Sequence, residues 1–292
     1  MERSHRVDAG TIDRGQPLRG MRALVTGGGG AIGGAAAELL ARDGAHVLLA
    51  GRTRSKLERV AARVTEAVGT GAGSLDLMEM DALDEDAVIE MTERAGGPER
   101  RIDVAVAVVG GGAVPRPVLA QSVASLEQTL MVNIASTFLI LKYAGTMMVA
   151  RGGGSIVAVS SMQATESAPM FGPYCTAKAG LEMLCRVAAD ELGTAGVRVN
   201  VVRPGLVRNG NPGHLSEDAE AVDRYMAEQP IARPGEAMDI GHAIRYLAGP
   251  ESSWVTGQSI TVDGGTSLRR FPDLTEVWKH RGIDTSIPGS GG

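Results

Sequence analysis

Between residues 21 and 262 the chain alternates short apolar runs with helix-patterned stretches, and this alternation leaves few ways to fold. Apolar runs fall at 21–26, 45–50, 74–80, 102–109, 155–160, 197–203 and 259–262. Helical periodicity fills 31–42, 54–68, 85–94, 122–150 and 172–194, with further segments near 215–228 and 236–248. Strands joined through helices must cross over, which gives a parallel sheet with helices on both faces. The β-branched run 102–109 reads as a strand buried on both sides. No linker divides 21–265. The expectation is one α/β domain, a doubly wound parallel sheet of seven strands. A loose polar arm over 1–20 precedes it and a tail over 269–292 follows it.

Composition narrows the partners. At 43% hydrophobic and 22% charged residues, the chain is globular and not disordered. Aromatics are scarce (Phe 3, Tyr 4, Trp 2), so the core is aliphatic and platforms for stacking bases are few. A net charge of −5 gives no general attraction to nucleic acid or an anionic membrane. No apolar run approaches the length of a membrane span, and residues 1–19 do not read as a secretory signal. Cys175 and Cys185 match neither a metal-ligand spacing nor a disulfide framework. Free thiols point to a reducing compartment, so a cytoplasmic protein without nucleic-acid or membrane partners is expected.

The first strand runs into Thr26-Gly27-Gly28-Gly29-Gly30-Ala31-Ile32-Gly33-Gly34, followed by an Ala-rich helix. A glycine turn lets backbone approach a pyrophosphate, and the helix N-terminus offers free N–H groups and a positive dipole end. Four consecutive glycines fit G-x-G-x-x-G by chance easily. The position between a strand and a helix is what raises the dinucleotide reading over a plain flexible loop. The second strand ends in Gly51-Arg52 with Arg54 and Lys56 behind it and no acid at its tip. A carboxylate there would mark NAD; an arginine suits a 2′-phosphate, so NADP is favoured and NAD stays possible.

The strand at 155–160 delivers Ser160 and Ser161 to the end of the sheet where ligands bind. Tyr174 follows, and Lys178 lies one helical turn beyond it on the same face. A neighbouring ammonium favours the phenolate and would lower the Tyr174 pKa toward the working range. The tyrosine could then act as general acid or base toward a carbonyl or hydroxyl, with a serine hydroxyl holding the oxygen. A lone Y-x-x-x-K has little weight; the upstream serine and glycine turn give it weight.

Together these motifs resemble the short-chain dehydrogenase/reductase family over about residues 20–268. Its T-G-x-x-x-G-x-G turn matches Thr26, Gly27 and Gly33, with Ala31 at the middle glycine. Its acidic position after the third strand matches Asp81, followed by Ala82, and its helix asparagine matches Asn133. Its catalytic serine, tyrosine and lysine match Ser161, Tyr174 and Lys178. Its P-G motif matches Pro204-Gly205, and its closing D-G-G matches Asp263-Gly264-Gly265. The resemblance departs at N-N-A-G, which reads Ala107-Val108-Val109-Gly110 and removes an amide that supports the central strands. The family's threonine after P-G falls on Asn209.

The resemblance implies a Rossmann-like fold and NADP(H)-dependent interconversion of a carbonyl and a secondary alcohol, as in a 3-oxoacyl or other ketone reductase. It implies catalysis by Asn133, Ser161, Tyr174 and Lys178. It implies cofactor contacts at Gly27, Gly30, Ala31, Ile32, Gly33, Arg52, Asp81, Ala82, Gly110, Tyr174, Lys178, Pro204, Gly205 and Val207, without a metal. Asp81 reads equally as a helix cap. A homo-oligomer, with a tetramer favoured, is expected. The other class left open is a non-catalytic NADP-binding sensor or scaffold. The substrate is a small carbonyl or alcohol whose identity the loop 209–235 does not spell out. In the tail, Phe271, Leu274 and Trp278 fall near one helical face. That face reads as packing on a neighbouring subunit or over the substrate loop.

Overall fold

The computed structural model describes residues 15–69, 73–112, 114–210 and 214–288. Its strands are β1 Arg22–Thr26, β2 His46–Gly51, β3 Ser74–Glu79, β4 Val104–Ala107, β5 Gly154–Val159, β6 Val197–Pro204 and β7 Ser259–Val262. They form one sheet in the order β3-β2-β1-β4-β5-β6-β7, with every pairing parallel. The seven-stranded doubly wound expectation holds. Strand order reverses between β1 and β4, and that reversal opens a crevice at the carboxyl ends of the strands.

The helices are α1 Ala31–Arg42, α2 Arg54–Val68, α3 Glu85–Gly96, α4 Val123–Leu130, α5 Ser136–Arg151, α6 Gly172–Gly193, α7 Ala219–Glu228, α8 Ala237–Ala248 and α9 Thr275–His280. Side chains of α1, α2 and α8 cover one sheet face, including Leu40, Leu57 and Ile244. Those of α3, α5 and α6 cover the other, including Met91, Ile140 and Leu181. Both layers are aliphatic, as the scarcity of aromatics requires.

Three expectations change on contact with the structure. The single helix over 122–150 is instead α4 and α5 joined by one π-helical turn, Met131–Ala135. Side chains take carbonyls in this stretch: Asn133 Nδ2 donates to Thr129 O (2.8 Å), Ser136 Oγ to Val132 O (2.7 Å) and Thr137 Oγ1 to Asn133 O (3.2 Å). Such single π turns recur at functional sites. The strand over 102–109 shortens to Val104–Ala107, because Val108 and Val109 leave the sheet to line the crevice. A membrane-length stretch does exist among the described residues. Val123–Arg151 has a mean hydropathy of 1.3 over its most apolar window, but 56% of that window is buried within the fold. This α4–π–α5 stretch belongs to the core, packed against β4, β5 and α6.

The arm over 1–20 lies outside the described residues up to 14. Beyond that, Leu18 is fully buried and its N–H donates to Asp43 O (2.9 Å), so this stretch is anchored to the domain. At the other end Phe271, Leu274, Val277 and Trp278 are buried in a third apolar cluster. It joins them to Met162, Met170, Leu206 and Tyr225 of the same chain.

Candidate active site

The glycine turn is shaped by backbone sterics. Gly27 takes φ +66°, a left-handed conformation that side chains rarely adopt. A Cβ at Gly33 would stand 2.5 Å from Gly27 O, so α1 can close on β1 only with glycine there. Gly30 precedes α1 without a side-chain cap, and the first turn of α1 has no acid. The helix N-terminus therefore presents its N–H groups and positive dipole end to the crevice. Ala31, at the family's middle glycine, lines the same crevice.

That crevice is a cavity of about 890 Å³. It is bounded by Gly27, Gly30, Ala31, Ile32 and Gly33, by Arg52 at the tip of β2 and by Asp81 and Ala82 after β3. Gly110 after β4, Ser161 after β5, Tyr174 and Lys178 on α6, and Pro204, Gly205, Val207 and Asn209 after β6 complete it. Every expected site residue except Asn133 lines this one space; Asn133 lies immediately behind Gly110. Asp81 is not the cap of α3. Asp84 fills that role by accepting from Ala87 N (3.2 Å), while Asp81 accepts from Leu83 N (3.0 Å) in the turn before it. Arg52 is exposed and has no ion-pair partner among the described residues. Lys56, Arg59 and Arg63 of α2 share with it a neighbouring cleft along the outside of the glycine turn.

The lost family amide after β4 is replaced by contacts from other elements. Thr26 Oγ1 lies 3.4 Å from both Val106 O and Val108 N, bridging β1 and β4. Asn133 Nδ2 donates to Gly111 O (2.9 Å) and steadies the loop beyond. Its Oδ1 is buried without a hydrogen-bond partner among the described atoms. A Cβ on Gly110 would meet that Oδ1 at 2.8 Å and Lys178 Nζ at 2.9 Å. Glycine at 110 therefore leaves open the space between the amide and the ammonium.

Lys178 is buried, and its Nζ donates to Val159 O (3.0 Å) at the end of β5. Burial lowers its pKa to about 8. The Nζ stands 5.6 Å from the centre of the Tyr174 ring and makes no hydrogen bond to the phenol. Burial also pushes the Tyr174 phenol up to about 12, against the opposing pull of its hydrogen bond with Ser161. The expected lowering of Tyr174 by Lys178 does not appear here: desolvation of the phenolate is the largest influence, and it raises the pKa. Burial thus favours the protonated phenol, while the Ser161 hydroxyl pulls the other way; Ser161 Oγ also accepts from Gln163 N (3.2 Å).

The loop after β6 is pinned at its base. Val207 pairs with Gly235, Arg208 N donates to Gly235 O and Gly235 N to Leu206 O, each at 2.8 Å. His214, Leu215 and Tyr225 from this excursion line the cavity. So do Met162 and Phe171 from the β5–α6 connection, and Trp278 and Arg281 from the tail. Sequence reasoning named the loop residues but missed Trp278 and Arg281 as cavity walls. The helical spacing of the tail was the available signal; it gave the face and left a neighbouring subunit and the substrate loop as its alternative targets.

Residues 29–267 match the family model described as enoyl-(acyl carrier protein) reductase. The chain belongs to the short-chain dehydrogenase/reductase family. Human dehydrogenase/reductase SDR family member 4 is 31% identical over 276 residues, covering 91% of this chain and 94% of that protein. A short-chain type dehydrogenase/reductase from Mycobacterium ulcerans superposes with a TM-score of 0.85 at 34% identity, covering 90% of this chain and 95% of the other. A putative NAD(P)-dependent gluconate 5-dehydrogenase from Beutenbergia cavernae, solved with bound NADP, superposes with a TM-score of 0.77 at 33% identity. That match covers 86% of this chain and 98% of the other. The chain is an oxidoreductase of this family.

Proposed function

We propose that this protein interconverts a carbonyl and a secondary alcohol with NADP(H). The observation that carries the reading is the convergence of Ser161, Tyr174 and Lys178 on the same cavity as the glycine turn and Arg52. The cradle at Gly27–Gly33, the uncapped start of α1 and the exposed Arg52 fit a dinucleotide with a 2′-phosphate. A nicotinamide bound there supplies or accepts the hydride. The protein's residues handle the proton and the oxygen. In the reductive direction Tyr174 Oη donates its proton to the oxygen of the substrate, and Ser161 Oγ holds that oxygen by hydrogen bonding. Burial keeps Tyr174 protonated for this donation. As negative charge develops on Tyr174, the nearby ammonium of Lys178 stabilises it. Asn133 fixes the loop after β4 through Gly111 and directs Oδ1 toward the space between itself and Lys178.

The test is a panel of ketones and secondary alcohols with NADPH, NADP, NADH and NAD, followed by absorbance at the nicotinamide band. Turnover with NADPH supports the reading. Tight NADPH binding with no turnover across the panel favours the sensor class instead, against which an intact Ser161, Tyr174 and Lys178 already speaks.

Assembly belongs to the same proposal. Val123, Met131, Phe138, Met183 and Val187 leave apolar surface exposed on α4, the π turn, α5 and α6. A homotetramer in the cytoplasm would cover such surface. Light scattering at micromolar concentration should give four times the 30.3 kDa chain mass.

A further inference from the structure

The tail is not a loose extension of the domain. Its residues are tied to α7 by side chains along its length. Arg270 pairs with Glu228 (2.7 Å), Arg224 donates to Asp273 O (3.0 Å), and His280 meets Glu220 (2.8 Å). Arg281 pairs with Asp218 (2.8 Å), which also caps α7 by accepting from Ala221 N (3.0 Å). Between these ties Phe271, Leu274, Val277 and Trp278 are all buried. Phe171 makes edge-to-face contacts with Phe271 and with Trp278, at centroid distances of 6.3 and 5.5 Å. Tyr225 meets Phe271 in the same way at 5.6 Å. The chain has only nine aromatic residues, and the three ring–ring contacts found among the described residues all gather here, over the cavity.

The cavity end beyond Tyr174 is walled by Met162, Phe171, Leu206, Leu215, Tyr225 and Trp278. Its ionisable neighbours contribute little net charge. Arg281 is balanced by Asp218. Burial and the nearby Arg281 hold His214 below its ordinary range, which disfavours a positive charge there. No Asp or Glu side chain lines this end among the described residues. A wall of this kind desolvates polyols and carboxylates without repaying them, and it favours an apolar body.

We infer that Trp278 is a specificity-determining residue, and that the substrate is a neutral carbonyl or alcohol with an apolar ring or branched body packed against it. The inference rests on the proposed reaction and names its substrate class. The guanidinium of Arg281, 5.7 Å from the Trp278 ring, and its pairing with Asp218 set the position of the indole.

The test uses the full chain with NADPH and three ketones: cyclohexanone, 2-decalone and 5-ketogluconate. The wild type should prefer both apolar ketones over 5-ketogluconate by at least about a hundredfold in kcat/KM. Trp278→Ala should raise the decalone-to-cyclohexanone ratio at least about tenfold, and Trp278→Phe should change it little. The ratio is read within each variant, so partial unfolding does not alter it. Preference for 5-ketogluconate, or an unchanged ratio in Trp278→Ala, overturns the inference. A second measurement does not depend on turnover. The only other tryptophan, Trp254, is 98% exposed, so Trp254→Phe leaves Trp278 as the sole indole signal. Cyclohexanol, added with NADP, should protect that signal from acrylamide quenching, whereas gluconate should not. Protection without turnover on any ketone would keep the inference and reject the proposed reaction. Equal protection by gluconate, or none by cyclohexanol, rejects the inference.

Discussion

The two ends of the cavity are built by different means. At the nucleotide end the walls are mostly backbone: the glycine turn, the uncapped start of α1 and the tips of β2 and β3. Their positions follow from the sheet itself, and a Cβ at Gly33 would collide with Gly27 O. At the substrate end the walls are side chains, from the β5–α6 connection, the loop after β6 and the tail. Trp278 and Phe171 are 107 residues apart in sequence yet in edge-to-face contact, and only tertiary packing joins them. A backbone-built site tolerates little substitution, whereas a side-chain-built site can be retuned one residue at a time.

The largest effect should come where the two ends meet. Tyr174→Phe removes the proton donor, and kcat should fall on the order of 10²- to 10⁴-fold. NADPH affinity and melting temperature should stay near wild type. Near-normal kcat on a confirmed substrate would show that another group donates the proton. At the nucleotide end, Arg52→Asp removes a charge-assisted contact worth about 1.5–3 kcal/mol and adds a repelling carboxylate. The NADP-to-NAD affinity ratio should drop roughly ten- to a hundredfold, measured by titration of both cofactors. Equal affinities in the wild type would remove the basis for that contrast.

Gly33→Ala should strain the turn by about 1–3 kcal/mol and weaken NADPH binding roughly tenfold, with less effect on KM for a ketone. Calorimetry of cofactor binding checks the first part and steady-state kinetics the second. Removing 269–292 should do the reverse, raising substrate KM several-fold or weakening assembly while NADPH affinity holds. Wild-type kinetics and oligomer size in the truncated protein would mean that the tail's packing has no functional consequence.

The smallest effect is read in stability. Lys178 is held at about 8, below its ordinary 10.5, because burial disfavours the ammonium. The unfolded chain therefore binds the extra proton between those values, and folding stability gains as pH rises from about 8 to 10.5. That contribution is lost as pH falls through 8. Lys178→Met removes the penalty, so the variant should melt higher than wild type at pH 7, and the difference should shrink by pH 10. Thermal melts of both proteins at the two pH values decide it; a constant difference would place the cause in packing.

Much of this molecule was legible from local pattern. Strand–helix alternation gave the parallel sheet, because apolar period and crossover handedness depend on neighbours in sequence. The glycine turn, Arg52, Ser161, Tyr174 and Lys178 were legible because their spacing follows from a strand end or one helical turn. Other features needed coordinates. The π turn at Met131–Ala135 is invisible to a 3.6-residue period; around it Asn133, Ser136 and Thr137 donate to the carbonyls of Thr129, Val132 and Asn133. The support after β4 moved to Thr26, a residue 80 positions from Val106. The Tyr174 pKa depends on how much water the fold removes, and a sequence motif supplies only the neighbouring charge. Apolar spacing in the tail determined that one face of a helix must be covered. Which surface covers it was decided by tertiary packing, where α7 and Phe171 offered both the counter-charges and the aromatic faces.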